Sequence, residues 1–214
     1  LRKCKEEKDI EELFGTVSND IYWNDAYPDP CAKNFWALAK ERVFYLTDEI
    51  AENAMGIAEQ ILSCNFEDKD IPIEQRKPII LVISSPGGYL EHTFHLCDIM
   101  MGSKTPVYTV NGGQCCSGAA LILMAGHKKY TLPHSYAMLH TGSGGISGTY
   151  EQTEAAQANY RKQVAAMKDF ILSNTKIEEK VYKRNQSKDW YFTVEDQINY
   201  GLVDDMIVSI CDLI

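Results

Sequence analysis

Apolar and polar positions divide this chain into two unlike stretches. Residues 1–35 begin with the charged run LRKCKEEKDIEE and continue through YWNDAYPDPCAKNFW, with two prolines and few periodic apolar positions. That pattern predicts an extended, irregular or mobile arm. From residue 36 onward the pattern is regular. ERVFYL (Glu41–Leu46) is rich in β-branched and aromatic residues and predicts a strand, and Thr47 stands as a hydroxyl cap before a helix reaching about Leu62. A polar loop, NFEDKDIPIEQRK, precedes PIILVIS (Pro78–Ser84), a continuous apolar run of the kind buried on both faces of a parallel sheet. SSPGG predicts a sharp turn, Tyr89–Met101 a helix, Pro106–Val110 a strand, and Ala119–Ala125 a short apolar helix after NGGQCCSG.

KKYTL (Lys128–Leu132) and SYAMLH (Ser135–His140) predict two further strands split by Pro133. TGSGGISG is too rich in glycine for a packed strand interior. Thr149 to about Ser173 carries alanines and helically spaced charges without a breaker, and predicts the longest helix. Shorter helices at Ile177–Arg184 and Val194–Tyr200 and a strand around Val203–Val208 complete the pattern. Strands alternating with helices predict an α/β fold with a largely parallel sheet. No internal repeat or second core is visible, so residues 36–214 read as one domain behind the arm.

Composition narrows the function. The 214 residues contain 21 Lys+Arg and 30 Asp+Glu, a formal net charge of −9, with 45% hydrophobic and 24% charged residues. This is the profile of a globular chain, and its acidity argues against nucleic acid as a partner, because phosphate binding rests on Lys and Arg. Seven cysteines, two of them adjacent at Cys115 and Cys116, suit a reducing compartment better than a disulfide framework, so the expected location is cytoplasmic. No apolar run approaches the roughly 18 residues that would predict a membrane span. The charged start has no hydrophobic signal core behind it, and the absence of an initiator Met reads as numbering that begins inside a longer chain.

Three glycine-rich turns follow predicted strands: Ser85–Gly88, Asn111–Gly118 and His140–Gly148. In open parallel sheets that edge is where ligands bind. None has the spacing of a phosphate-binding loop or a dinucleotide fingerprint. His92 and His95, with Cys97 nearby, lack metal-site spacing and read as surface or partly packed side chains, so neither metal nor cofactor is expected. Ser117 stands at the start of the short apolar helix, where backbone N–H groups can stabilise negative charge beside its oxygen. By itself a serine there reads first as a helix cap. His140 ends an apolar strand on the same side of the sheet, in reach of a serine as a general base. The surroundings are not the Gly-x-Ser-x-Gly elbow, which argues against an α/β-hydrolase.

SPGG after a buried strand, GQCCSGAALILMAG, YAMLH with its glycine segment, KDWYFTVEDQINYGLVD and ALAKERVFYLTDEI together resemble the proteolytic subunit of the Clp protease (ClpP). The resemblance runs from about Ala37 to Val208. It implies the ClpP/crotonase fold, a repeated β-β-α superhelix with a protruding handle strand and a long handle helix, and the activity of a serine endopeptidase on unfolded polypeptides. By position, Ser117 matches the family's nucleophile, His140 its general base and Asp189 its orienting acid. Gly88 and Gly118 match its backbone oxyanion donors, and Gly142–Gly148 resembles the handle strand, with Gly144, Gly145, Ile146 and Ser147 beside extended substrate. The resemblance further implies a homo-oligomer, a heptameric ring or double ring, fed by an AAA+ unfoldase. No nucleic-acid or membrane partner is implied.

Ser187-Lys188 stands where the family commonly has a Glu-Arg pair coupling rings, and Thr141-Gly142 where Gln-Pro is common. The alternatives are a ClpP-like protease outside the Clp system, such as a phage-type maturation protease; a crotonase-type acyl-CoA enzyme on the same fold; and a ring component without activity. Cysteine chemistry at Cys115 or Cys116 is a lesser alternative, since neither holds the nucleophile position.

Overall fold

A computed structural model describes residues 30–214. Helix α1 (Pro30–Lys40) is the described part of a first compact unit ending at Glu41, and Arg42–Ile214 form the second. Proline at the first helical position, where no N–H partner is needed, and Lys40 in the last turn suit the two ends of α1. Residues 30–35, expected within an irregular arm, are therefore helical; the remainder of that arm lies outside the described residues.

The second unit is a parallel-dominated α/β structure. β1 (Val43–Ile50), β2 (Ile79–Gly88), β3 (Val107–Cys116), β4 (Lys128–Thr131) and β7 (Asp205–Met206) pair in that order, all parallel. The helices α2 (Asn53–Glu67), α3 (Leu90–Gly102) and α4 (Gly118–Met124) connect or follow successive strands. Ile79 to Ile83 are all buried, which is why β2 reads as an unbroken apolar run instead of an alternating one. Each such side chain removed from water stabilises the fold by about 1.5–3 kcal/mol. Helix α4 is buried at every position, so its sequence, GAALILM, carries no polar face.

Strand β3 changes partner along its length. Its first half, Tyr108 to Asn111, pairs with β4, while Gln114 to Cys116 pair with β5 (Tyr136–Leu139). The β2–β3 register also shifts, from Ile83 opposite Asn111 to Ser85 opposite Cys115. Three residues, Gly112 to Gln114, therefore stand against Ser84, a bulge at the point where β3 passes from β4 to β5. β5 then pairs antiparallel with β6 (Trp190–Phe192), bringing Leu139 opposite Trp190.

Several expected boundaries move. SSPGG is not a turn: β2 continues through it, with Glu49 opposite Gly87 and Ile50 opposite Gly88. β1 likewise continues past Leu46, so Thr47 lies in a strand opposite Ser84 and caps nothing. The turn into α2 is built by Asn53 instead, whose Oδ1 accepts from the Ala51 N–H at 2.8 Å while its Nδ2 donates to the carbonyls of Thr47 and Glu49. The strand expected at Val203–Val208 shortens to Asp205–Met206. The longest described helix, α5 (Tyr150–Asn174), opens with a capping box between Thr149 and Gln152. It is followed by α6 (Glu179–Asn185) and α7 (Val194–Asn199).

At the opposite end of β1, Arg42 is held at φ 58° and its guanidinium reaches both oxygens of Asp68 at 2.7 Å. Asp68 is 1% exposed and also accepts from the Thr105 hydroxyl at 2.8 Å. The Arg42 hydrogen bonds hold the Asp68 carboxyl below the ordinary carboxylate range, with Thr105 adding to the effect against burial. Its contribution to stability is thus complete above the unfolded carboxylate value of about 3.9 and is lost as pH falls through the lower folded value. Asp68→Ala is expected to cost about 3–5 kcal/mol at pH 7. In chemical denaturation the gap between variant and wild type should narrow below about pH 3.9.

Candidate active site

Ser117 lies between the last residue of β3 and the first of α4. Its N–H donates to the Met138 carbonyl of β5 at 2.7 Å, which ties the residue to the neighbouring strand. Its backbone, φ 55° and ψ −122°, occupies a region that an L-residue adopts only at a cost, on the order of 1–3 kcal/mol. Ser117 makes no side-chain cap to α4, so the capping alternative is absent from the structure.

His140 follows β5, and its Nε2 lies 2.8 Å from Ser117 Oγ. Its Nδ1 lies 3.4 Å from Asp189 Oδ1, immediately before β6. The antiparallel register of β5 and β6 makes this meeting possible: Leu139 opposes Trp190, so the next pair outward is His140 with Asp189. The three side chains thus arrive from one parallel and one antiparallel pairing. With an Nδ1 proton directed at the carboxylate, Nε2 is free to accept from the serine hydroxyl. The Asp189 side chain is 56% exposed and the contact is longer than a close hydrogen bond.

Gly87 controls how near β2 comes. At φ 99° it lies so close that a Cβ there would stand 2.6 Å from the Cys116 carbonyl oxygen and 2.7 Å from Ser117 Cβ. Only glycine accommodates both the dihedral and the approach. The Gly87 N–H donates to Ser85 Oγ at 3.1 Å, and Tyr89 N–H donates to Ile50 O at 2.9 Å. Gly118 begins α4, and its N–H is one of the helix's first-turn amides, which have no partner within the helix.

The neighbouring thiols are poor nucleophiles. Cys115 is wholly buried and its thiol is pushed well up by desolvation. Cys116 is raised by burial first and then by the nearby Asp189 charge. Gly144, Gly145, Ile146 and Ser147 lie in an exposed segment between Thr141 and Thr149 that pairs with no strand among the described residues. Tyr160 of α5 donates its hydroxyl to the Thr141 carbonyl at 3.1 Å, anchoring the segment's start. The structure brings Ser117, His140 and Asp189 together, with Gly118 next to the serine in the chain and Gly88 next to Gly87, and leaves residues 144–147 as an open strip. Sequence reasoning passed over Gly87, whose place beside the serine is set by the β2–β3 register, and Thr93, a buried α3 side chain packed on Gly118.

A serine hydroxyl beside an imidazole that a carboxylate orients can attack an electrophilic carbonyl, with backbone N–H groups available to the developing oxyanion. On a parallel-dominated α/β sheet this places a serine, a histidine and an aspartate in contact at the carboxyl edge of the strands. Comparison with known proteins places it more closely. Residues 29–209 match the family model described as Clp protease. The chain is 30% identical over 175 residues to the ATP-dependent Clp protease proteolytic subunit 1 of Rhodopirellula baltica, covering 80% of this chain and 74% of that protein. The chain belongs to the Clp protease family, and is a peptidase of the ClpP type. No described helix is long and apolar enough to cross a membrane.

The backbone at Ser117 gives a test of the strained turn. Ser117→Gly and Ser117→Ala both remove the hydroxyl, but only glycine relaxes the dihedral. Ser117→Gly is expected to be the more stable of the two by about 1 kcal/mol in chemical denaturation.

Proposed function

We propose that the chain is a serine endopeptidase that hydrolyses peptide bonds of unfolded polypeptides within an oligomeric chamber. The observation that carries this reading is the 2.8 Å contact between His140 Nε2 and Ser117 Oγ, with Asp189 behind the imidazole. His140 takes the Ser117 proton as the hydroxyl attacks the carbonyl carbon, and the carbonyl π electrons move to oxygen. Asp189 holds the imidazole tautomer and stabilises the imidazolium that forms. The N–H groups of Gly88 and Gly118 receive the oxyanion. Collapse of the adduct expels the amine, protonated by His140, and leaves an acyl-enzyme. Water, deprotonated by the same histidine, then releases the second product and regenerates Ser117.

Extended substrate would add as a strand beside Gly144 to Ser147, whose exposed backbone supplies free donors and acceptors. Family membership supports assembly of copies into a heptameric ring or double ring, and delivery of substrate by an AAA+ unfoldase in the cytoplasm. No metal or cofactor enters these steps. The raised thiols at Cys115 and Cys116 favour serine over cysteine chemistry.

A fluorophosphonate probe is expected to label wild-type protein and to leave Ser117→Ala unlabelled; labelling that survives in the variant would overturn the serine assignment. Asp189→Asn should lower kcat on a model peptide by roughly 10²–10⁴-fold, because the imidazole loses its orienting charge. Mass measurement in solution addresses the chamber: a strictly monomeric active species would exclude it.

A further inference from the structure

Thr93 lies on the second turn's start of α3, wholly buried, and touches both segments that carry the oxyanion amides. Its hydroxyl donates to the Tyr89 carbonyl at 3.0 Å, adjoining Gly88 in the chain. Its oxygen also occupies the space where a side chain at position 118 would begin. A Cβ built on Gly118 would stand 2.4 Å from Thr93 Oγ1 and 3.4 Å from its methyl carbon, with Ile50 Cδ1 at 3.5 Å behind. Gly118 has an ordinary negative φ, so no dihedral requirement calls for glycine there. The requirement is space, and Thr93 sets it.

We infer that Thr93 is a positioning residue that fixes the spacing of the Gly88 and Gly118 amides, and so the fit of the site to the tetrahedral oxyanion. The inference rests on the serine-peptidase reading above. One side chain holds one donor segment by a hydrogen bond and limits the other by contact, in a core where packing errors of a few tenths of an ångström are felt. The geometry matters more for the transition state than for bound substrate, since the amides meet the oxygen fully only once the carbonyl carbon has become tetrahedral and the oxygen carries the charge. A hydroxyl already engaged by the Tyr89 carbonyl cannot move aside without losing that bond.

The consequence is a compensating pair. Gly118→Ala forces the new methyl against Thr93 and should lower kcat on a peptide substrate by roughly 10²-fold with KM within about threefold, the size of effect that follows loss of one oxyanion donor. Thr93→Gly combined with Gly118→Ala removes the clash and should recover at least about tenfold of that kcat. Affinity for a peptide boronic acid, which forms a tetrahedral adduct on the serine, should fall and recover in parallel with kcat. Affinity for an uncleaved ground-state peptide should not change. A double variant no more active than Gly118→Ala, or a Gly118→Ala protein with wild-type kcat and boronate affinity, overturns the inference.

If Gly118→Ala does not fold, Thr93→Val takes its place: the shape is kept and the bond to Tyr89 is lost. Boronate affinity should then drop about tenfold while thermal stability changes little, and unchanged boronate affinity refutes the role. The parent reading is tested separately. If fluorophosphonate labelling does not depend on Ser117, the serine-peptidase reading itself fails, whatever the Thr93 variants do.

Discussion

Everything at the site depends on how closely the backbone of β2 approaches the junction between β3 and α4. Gly87 rests against the Cys116 carbonyl and Ser117 Cβ, at distances that no side chain allows. This contact requires both strands to extend beyond the point where β1, β2 and β3 cease to be apolar. It also requires a bulge at Gly112 to Gln114 so that Cys115 returns to register with Ser85. The strained Ser117 backbone is then held from two directions, by Gly87 on one side and by the Met138 carbonyl on the other. Strain of this kind persists only where the surroundings over-determine it. The burial of α4 at every position supplies the rigid floor.

Much of this was legible in the sequence. The apolar run Ile79–Ile83 and the all-apolar helix after Ser117 are consequences of burial from several sides, and they read as such. The long helix α5 was legible from its alanines and helically spaced charges without a breaker, while the capping box of Thr149 with Gln152 that opens it went unread. Ser117 and His140 were visible as a serine at a helix start and a histidine at a strand end. Asp189 could be assigned only through family resemblance, since nothing local marks an exposed aspartate as the partner of a histidine 49 positions away. The short strand β6 that presents it was missed because three residues, Trp190 to Phe192, carry no period.

Other errors share one cause. Glycine and proline in SSPGG and glycine in NGGQCC signal turns when considered locally, yet these residues remain in strands because pairing with neighbouring strands continues on either side of them. Thr47 failed as a cap for the complementary reason: pairing with β2 outweighed a local preference. Thr93 gave no signal at all, since a threonine inside a helix is ordinary until its neighbour at position 118 is known. Tertiary contact, not propensity, decides each of these positions.

Helix α5 buries only Met167 and Ile171 among its 25 residues, both toward its C-terminal end. Its first turns therefore draw little from packing, and such a stretch is marginal in water without help. Thr149 and Gln152 close its start, and the Tyr150 hydroxyl donates to Glu154 at 2.8 Å one turn on. The open strip before it is thereby moored twice, at Thr141 through Tyr160 and at Thr149 through the cap. A tethered strip has less conformational freedom to lose on becoming ordered than a free loop of equal length. Fraying of this helix would loosen both moorings together, so the entropic cost of ordering the strip is set by a helix outside it.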